Sequence, residues 1–343
     1  MVDNELVQRF VRWLTERVGT SEMHLEAHLT PGHGGFSNET HVLALRDASG
    51  AQHDLVLRLA PEGGGIFPTY DLDRQADVLD MLAKRSDVPV PLVRWREPDA
   101  SVLGRPFYVM ERVAGRIPPD RPGYLFEGWV KDAAAQEQAR VLDAGLEMMA
   151  RIHRVDVDAA GLTFLDRPRH GAGAIEQEIG YWRAYLDWAG KGERFDVLET
   201  IYEWCVAHRP TEPTSRGLVW GDARLGNLIY ADDASIRAVM DWEMAVLGPP
   251  ELDLGWHLFL ERIMQQFAKP LPGFGTADDM VAKYEAHLGR SLEHLDWYET
   301  WGGFRAACIQ LPLTTIQHAK GEPIDLSYRV DNPLITELLR RIA

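Results

Sequence analysis

The chain opens on MVDNELVQRFVRWLTERVG, where apolar positions recur every three to four residues between charges, and this spacing predicts an amphipathic helix. Two short runs rich in Leu and Val follow, HVLALRD and HDLVLRLAP, and the turn Ala48-Ser49-Gly50-Ala51 between them predicts a β-hairpin. In DLDRQADVLDMLAKRS the helical period returns, with Leu72, Ala76, Leu79 and Ala83 on one face. The Pro-punctuated VPVPLVRW and the apolar PFYVMERV read as extended segments, and GRIPPDRPG then breaks the pattern as a linker would. Beyond about residue 130 helical periodicity dominates, through AAAQEQARVLDAGLEMMARIHRV, AIEQEIGYWRAYLDWAG, DLGWHLFLERIMQQFA, TADDMVAKYEAHLG and LDWYETWGGFRAACIQ. Amphipathic helices use aromatics to pack, so Tyr181, Trp182, Tyr185, Trp188, Trp301 and Phe304 are expected in the core.

One stretch interrupts these helices: LVWGDARLGNLIYADDASIRAVMDWE, residues 218–243. Its pattern predicts a strand over Leu218–Trp220, a loop over Gly221–Gly226 and a strand over Leu228–Tyr230. An acidic turn, Ala231–Ser235, then leads into a strand over Ile236–Trp242 that pairs back on the last. Asp222, Asn227 and Asp241 are thereby expected near one point. Oxygen ligands of this kind suit Mg²⁺, which takes one or two carboxylates and completes its shell with phosphate and water. An Asp not used in that way can accept a proton from an attacking hydroxyl. The arrangement D-x-x-x-x-N, followed by a strand ending in Asp, is the kinase pattern of catalytic loop and metal-binding Asp.

Composition narrows the partners. At 343 residues the chain holds one large domain or two modest ones, and 36 basic against 52 acidic residues give a formal charge of −16. That balance argues against nucleic acid or an anionic membrane as the main partner; it fits a cationic substrate and plain solubility equally. Cys205 and Cys308 lack metal-ligand spacing and are expected as buried free thiols of a reducing compartment. No stretch approaches 18 apolar residues and the first helix carries charges throughout, which predicts no membrane partner and a cytoplasmic location. A P-loop is excluded because G-x-x-x-x-G-K-[ST] does not occur.

The segments WGDARLGNLIY and VMDWE, with GPPELDLGW after them, resemble the aminoglycoside phosphotransferases and choline-kinase-like small-molecule kinases. They are nearest the phosphotransferase-like domain fused to some acyl-CoA dehydrogenases. The resemblance covers the chain from about residue 25 to 310. It implies an α+β, protein-kinase-like bilobal fold, with a small antiparallel β-sheet N-lobe over 1–113 and a larger, mainly helical C-lobe over 114–343. The implied activity is ATP- (or GTP-) and Mg²⁺-dependent transfer of a γ-phosphoryl group to a hydroxyl of a small molecule. No protein partner is evident, and the acceptor class stays open between antibiotics and hydroxylated metabolites.

On the same resemblance Asp222 is the catalytic base, and Asn227 and Asp241 are metal ligands. Asp253 would hold the catalytic-loop backbone by accepting its N–H groups, and Glu243 would support the metal site from one side. The family's G-G-x-S-N-x-T loop matches Gly34 to Thr40, so Gly34, Gly35, Ser37 and Asn38 are implied around the phosphates. Arg58 is the implied phosphate-binding cation, and Met110, Glu111 and Val113 the hinge that meets the adenine. Two positions depart from the pattern. Trp220 stands where the family has His, and Gln75 falls where an acid would pair with Arg58. Gln75 can still accept a hydrogen bond from Arg58, and Asp71 or Asp73 could stand in for the acid. These departures support an alternative reading, a nucleotide-binding or regulatory module with impaired catalysis.

Overall fold

A computed structural model of the chain describes residues 4–30, 37–213 and 216–343. It divides into two compact units. One is the chain up to Ala83 together with Pro91–Val113; the other is Lys84–Val90 together with Ala114–Ala343.

The first unit is built on a five-stranded antiparallel sheet. Its elements run α1 (Asn4–Val18), β1 (Met23–Leu29), β2 (Glu39–Asp47), β3 (Gln52–Leu59), α2 (Leu72–Arg85), β4 (Val93–Glu97), the single turn α3 (Ala100–Leu103) and β5 (Phe107–Glu111), with strand order β1-β2-β3-β5-β4. The first helix exists because its apolar stripe has a sheet to cover: Val7, Phe10 and Leu14 pack with Leu43, Leu45, Leu57 and Leu59 in one core. The β2–β3 turn closes on its own carboxylate, since Asp47 Oδ1 accepts from the N–H groups of Ser49 and Ala51. In α2 the buried stripe is Leu72, Gln75, Ala76, Val78, Leu79 and Leu82. Ala83 is exposed, contrary to expectation, because Leu82 occupies the inward position at that turn. Strand β1 was not legible in the sequence: it lies at the sheet edge with all six residues after Met23 at least partly exposed and is therefore short of apolar alternation.

The second unit is mainly helical. Its elements run α4 (Trp129–Asp132), α5 (Ala135–His153), α6 (Val157–Ala160), α7 (Ala174–Gly190), α8 (Asp196–Ala207), the short strands β6 (Gly217–Val219), β7 (Leu228–Tyr230), β8 (Ile236–Val239) and β9 (Val246–Gly248), then α9 (Glu251–Gln265), α10 (Ala277–Leu288), α11 (Leu295–Ala319) and α12 (Pro333–Ile342). Trp182, Tyr185, Trp301 and Phe304 are each buried to at least 98% and form its core, while Tyr181 and Trp188 are half-buried. Helices α9 and α11 cross with their backbones in near contact. A Cβ on Gly255 would fall 2.5 Å from the Tyr298 carbonyl carbon, so only glycine permits this approach.

Strand β6 pairs with β9, and β7 with β8. One expectation about the hairpin is corrected: β8 ends at Val239 rather than running on to Trp242. The chain turns there because Asp241 adopts a left-handed conformation with φ 61°. The segment after Val113 is also more than a linker. Arg116 N–H donates to the Tyr230 carbonyl and Tyr230 N–H to the Arg116 carbonyl, both at 2.8 Å, so this segment lies alongside β7. Gly115 makes the approach possible: a Cβ there would meet the Tyr230 carbonyl oxygen at 2.6 Å.

Candidate active site

In the second unit the site is a loop held by its backbone. Strand β6 delivers Trp220, Gly221 and Asp222 to the turn, and a single 3₁₀ turn, Leu225–Asn227, returns the chain to β7. Asp253, on the first turn of α9 and fully buried, accepts Trp220 N–H at Oδ2 (2.7 Å) and Gly221 N–H at Oδ1 (2.8 Å). His153, at the end of α5, adds a third contact, with its Nε2 2.8 Å from Asp253 Oδ2 and its Nδ1 2.5 Å from the Tyr284 hydroxyl. From the opposite side Arg305 of α11 donates to the Gly221 carbonyl at 2.8 Å. Gly221 itself has φ 94°, and a Cβ would lie 2.4 Å from the Met244 carbonyl oxygen, so glycine is required for both conformation and space.

This clamp aims Asp222. Its Oδ1 accepts from Trp256 Nε1 at 3.0 Å and from Arg224 Nε at 2.7 Å; its Oδ2 accepts from Arg224 Nη2 and Asn227 Nδ2, both at 2.8 Å. Burial alone would push this carboxyl up, but the Arg224 guanidinium, with the Asn227 and Trp256 donors, outweighs it and holds Asp222 below the usual carboxylate range. Arg224 also reaches the Asp120 carboxylate at 2.7 Å, and a Cβ on Gly226 would meet Asp120 Oδ1 at 2.8 Å. The segment expected as a linker thus forms one wall of this loop.

Asn227 is 93% buried, and its Nδ2 is spent on Asp222, on both the carboxylate and the backbone oxygen. Its Oδ1 takes no hydrogen bond from a described residue and is left as an acceptor. Asp241 is half-buried and follows Met240, whose N–H donates to the Asn227 carbonyl at 2.9 Å. Trp220 is the first of the two departures from the family pattern. Its indole Nε1 donates to the Met240 carbonyl at 2.8 Å and its ring packs 6.0 Å from that of Trp242, so it joins this loop to the segment that presents Asp241. One oxygen from an amide and one carboxylate are a hard donor set that fits Mg²⁺, which needs few protein ligands. Among the described residues no cluster of three or more His, Cys, Asp or Glu could hold a metal by itself. Glu243 is half-buried.

The first unit carries the remaining candidates. Ser37 and Asn38 are buried at the start of β2, Arg58 is half-buried in β3 between Thr40 and Tyr108, and Met110 and Glu111 end β5, with half-buried Val113 just beyond. Gly34 and Gly35 lie outside the described residues. Gln75 takes a different partner from the one expected: its Oε1 accepts from Asn38 Nδ2 at 3.3 Å. Asp71 is exposed and caps α2 through Arg74 N–H, and Asp73 is exposed. The buried Asn38–Gln75 pair ties the end of the Gly-rich segment to α2.

Sequence reasoning missed His153, Arg224, Trp256 and Arg305. Three of them come from helices distant in sequence, and only Arg224, inside the motif, left a local signal.

A family model described as "Phosphotransferase enzyme family" matches residues 28–289. The chain belongs to the phosphotransferase enzyme family. Among curated relatives, mouse acyl-CoA dehydrogenase family member 10 is 27% identical over 322 residues, covering 90% of this chain and 28% of its own length. Human acyl-CoA dehydrogenase family member 11 is 28% identical over 238 residues, covering 67% of this chain and 29% of its own length. The chain therefore spans less than a third of either relative. Among solved structures, a Ralstonia eutropha protein assigned to the aminoglycoside phosphotransferases superposes with TM-score 0.70 at 22% identity, covering 98% of both chains. Macrolide 2'-phosphotransferase MphH from Brachybacterium faecium gives TM-score 0.57 at 22% identity, covering 92% of this chain and 93% of its own. These likenesses show that this family member has the kinase-like fold of the aminoglycoside phosphotransferases, with a small antiparallel sheet and a helical part.

Proposed function

We propose that the protein is a small-molecule kinase that moves the γ-phosphoryl of ATP, or GTP, to a hydroxyl of its acceptor. The observation that carries this reading is the direct contact of Asp222 with Asn227 in a loop clamped by Asp253, His153 and Arg305. Catalysis of this transfer is mostly positioning and charge stabilisation, which demands a rigidly held base. Asp222 orients the acceptor hydroxyl and receives its proton as the new O–P bond forms and the bond to the departing nucleoside diphosphate breaks. Asn227 Oδ1 and Asp241 would hold Mg²⁺, which supplies charge neutralisation at the phosphates when bound. Ser37, Asn38 and Arg58, with Gly34 and Gly35, are assigned to the phosphates, and Met110, Glu111 and Val113 to the base. Among the described residues no helix is long and apolar enough to cross a membrane, which suits an acceptor met in water.

The test is ADP release from Mg·ATP across a panel of aminoglycosides, macrolides, amino-alcohols, sugars and hydroxyacyl compounds. Asp222→Asn is expected to lower the acceptor-dependent rate by about 10²–10⁴-fold while Mg·ATP still raises the melting temperature. A wild type that binds Mg·ATP yet releases no ADP with any acceptor would favour the non-catalytic module.

A further inference from the structure

The Asp222 carboxylate is full. An ionised carboxylate offers about four lone-pair sites. Four donors already occupy them: Trp256 Nε1 and Arg224 Nε on Oδ1, and Arg224 Nη2 and Asn227 Nδ2 on Oδ2. In this arrangement no site is left for an acceptor hydroxyl, so one donor must leave before Asp222 can act. Trp256 is 95% buried on α9, and Asn227 is 93% buried and bonded twice to Asp222. Arg224 is different: its side chain is 29% exposed, and its far end rests on Asp120, whose side chain is 52% exposed. Both Asp120 oxygens lie 2.7 Å from Arg224 Nη1.

We propose that Arg224 is an oxyanion-responsive residue that covers Asp222 at rest and uncovers it when a competing oxyanion takes the guanidinium. Asp120 occupies the place of that oxyanion. An exposed carboxylate holds Arg weakly, whereas a phosphoryl or other multiply charged group matches the guanidinium fork and binds it more strongly. The incoming group draws Arg224 off Asp222, frees two lone-pair sites, and leaves the cation beside the charge that develops during transfer. The oxyanion is either the terminal phosphoryl of the nucleotide or an acidic group on the acceptor, and the chemistry at Arg224 is the same for both. This inference rests on the phosphotransferase reading and adds to it a condition: the base becomes available only when a substrate anion is in place.

Calorimetric titration of wild type, Arg224→Met and Asp120→Asn with Mg·ADP and Mg·AMP-PNP, and with glycerol 3-phosphate against glycerol, tests it. If the nucleotide supplies the anion, Arg224→Met weakens Mg·AMP-PNP by about 10-fold or more and leaves Mg·ADP within about twofold. If the acceptor supplies it, both nucleotides bind unchanged, and the wild type's preference for glycerol 3-phosphate over glycerol is lost in Arg224→Met. In either case Asp120→Asn, an exposed change with little risk to folding, tightens the same ligand several-fold. Equal effects on all ligands, or no effect in either variant, overturn the proposal while leaving the phosphotransferase reading intact. A wild type that binds neither nucleotide overturns that reading, and the role of Arg224 falls with it.

Discussion

Gly221 is gripped at both ends of its peptide, the N–H by Asp253 and the C=O by Arg305. The sequence groups Asp222, Asn227 and Asp241 by local spacing, and the family resemblance adds Asp253, which does accept the loop's N–H groups. His153 and Arg305 meet the loop through helices that are 68 residues before and 84 after Gly221, and no periodicity announces such a meeting. Trp220, which stands where the family has His, keeps a polar hydrogen at that position, and its indole N–H makes the contact with Met240. The same scale offers a test in the first unit, where Glu39 meets His41 at 2.8 Å and Arg105 at 2.7 Å. The hydrogen bond from His41, partly offset by burial and reinforced by Arg105, holds the Glu39 carboxyl down at about 2, from 4.5. A depressed carboxyl contributes stability that is present above its unfolded value and lost as pH falls through the folded one. Melting temperatures should therefore drop more steeply between pH 4.5 and 2 in wild type than in Glu39→Gln. Parallel acid profiles would show that this carboxyl is not a source of the acid sensitivity.

Among the elements, those with a strong period were readable and those shaped by pairing were not. The β2–β3 hairpin and helices α5, α7, α9 and α10 followed from alternation and helical spacing. Strand β9 spans three residues, too few for any pattern, and β1 presents too little apolar surface. The hairpin β7–β8 is best understood as a mount, with Trp220 bolting the catalytic loop to its far strand through Met240. Replacing the indole with a ring of similar packing isolates that bolt. Trp220→Phe is expected to cost about 1 kcal/mol, the typical net loss of one hydrogen bond at a half-buried carbonyl. Trp220→Ala, which also empties the site, should cost about 3–5 kcal/mol. Chemical denaturation of both variants measures the difference; a negligible loss in Trp220→Phe beside a large one in Trp220→Ala would mean that packing alone accounts for Trp220.

For the whole molecule, the two-part plan was implied by the family resemblance, while its boundaries come from contacts that composition does not report. Burial of the second unit's interior has a chemical signature in its thiols. Cys205 and Cys308 are both fully buried and free, and burial pushes the Cys205 thiol up to about 12. Since the thiolate is the reactive form, neither should be alkylated by iodoacetamide in the native protein near pH 8, and both should be labelled in denaturant. Mass spectrometry of the alkylated chain gives the answer directly, and rapid native labelling of Cys205 would contradict its burial.

The 84–90 segment carries one more consequence. Val239 N–H, at the end of β8, donates to the Pro89 carbonyl at 2.8 Å, so the hairpin that presents Asp241 is completed by a stretch encoded well upstream of the catalytic loop. Since Pro91–Val113 then returns to the first unit, the covalent path passes from one unit to the other three times. No single scission of the chain separates the two units cleanly, because residues 84–90 or 91–113 stay on the fragment that carries the other unit.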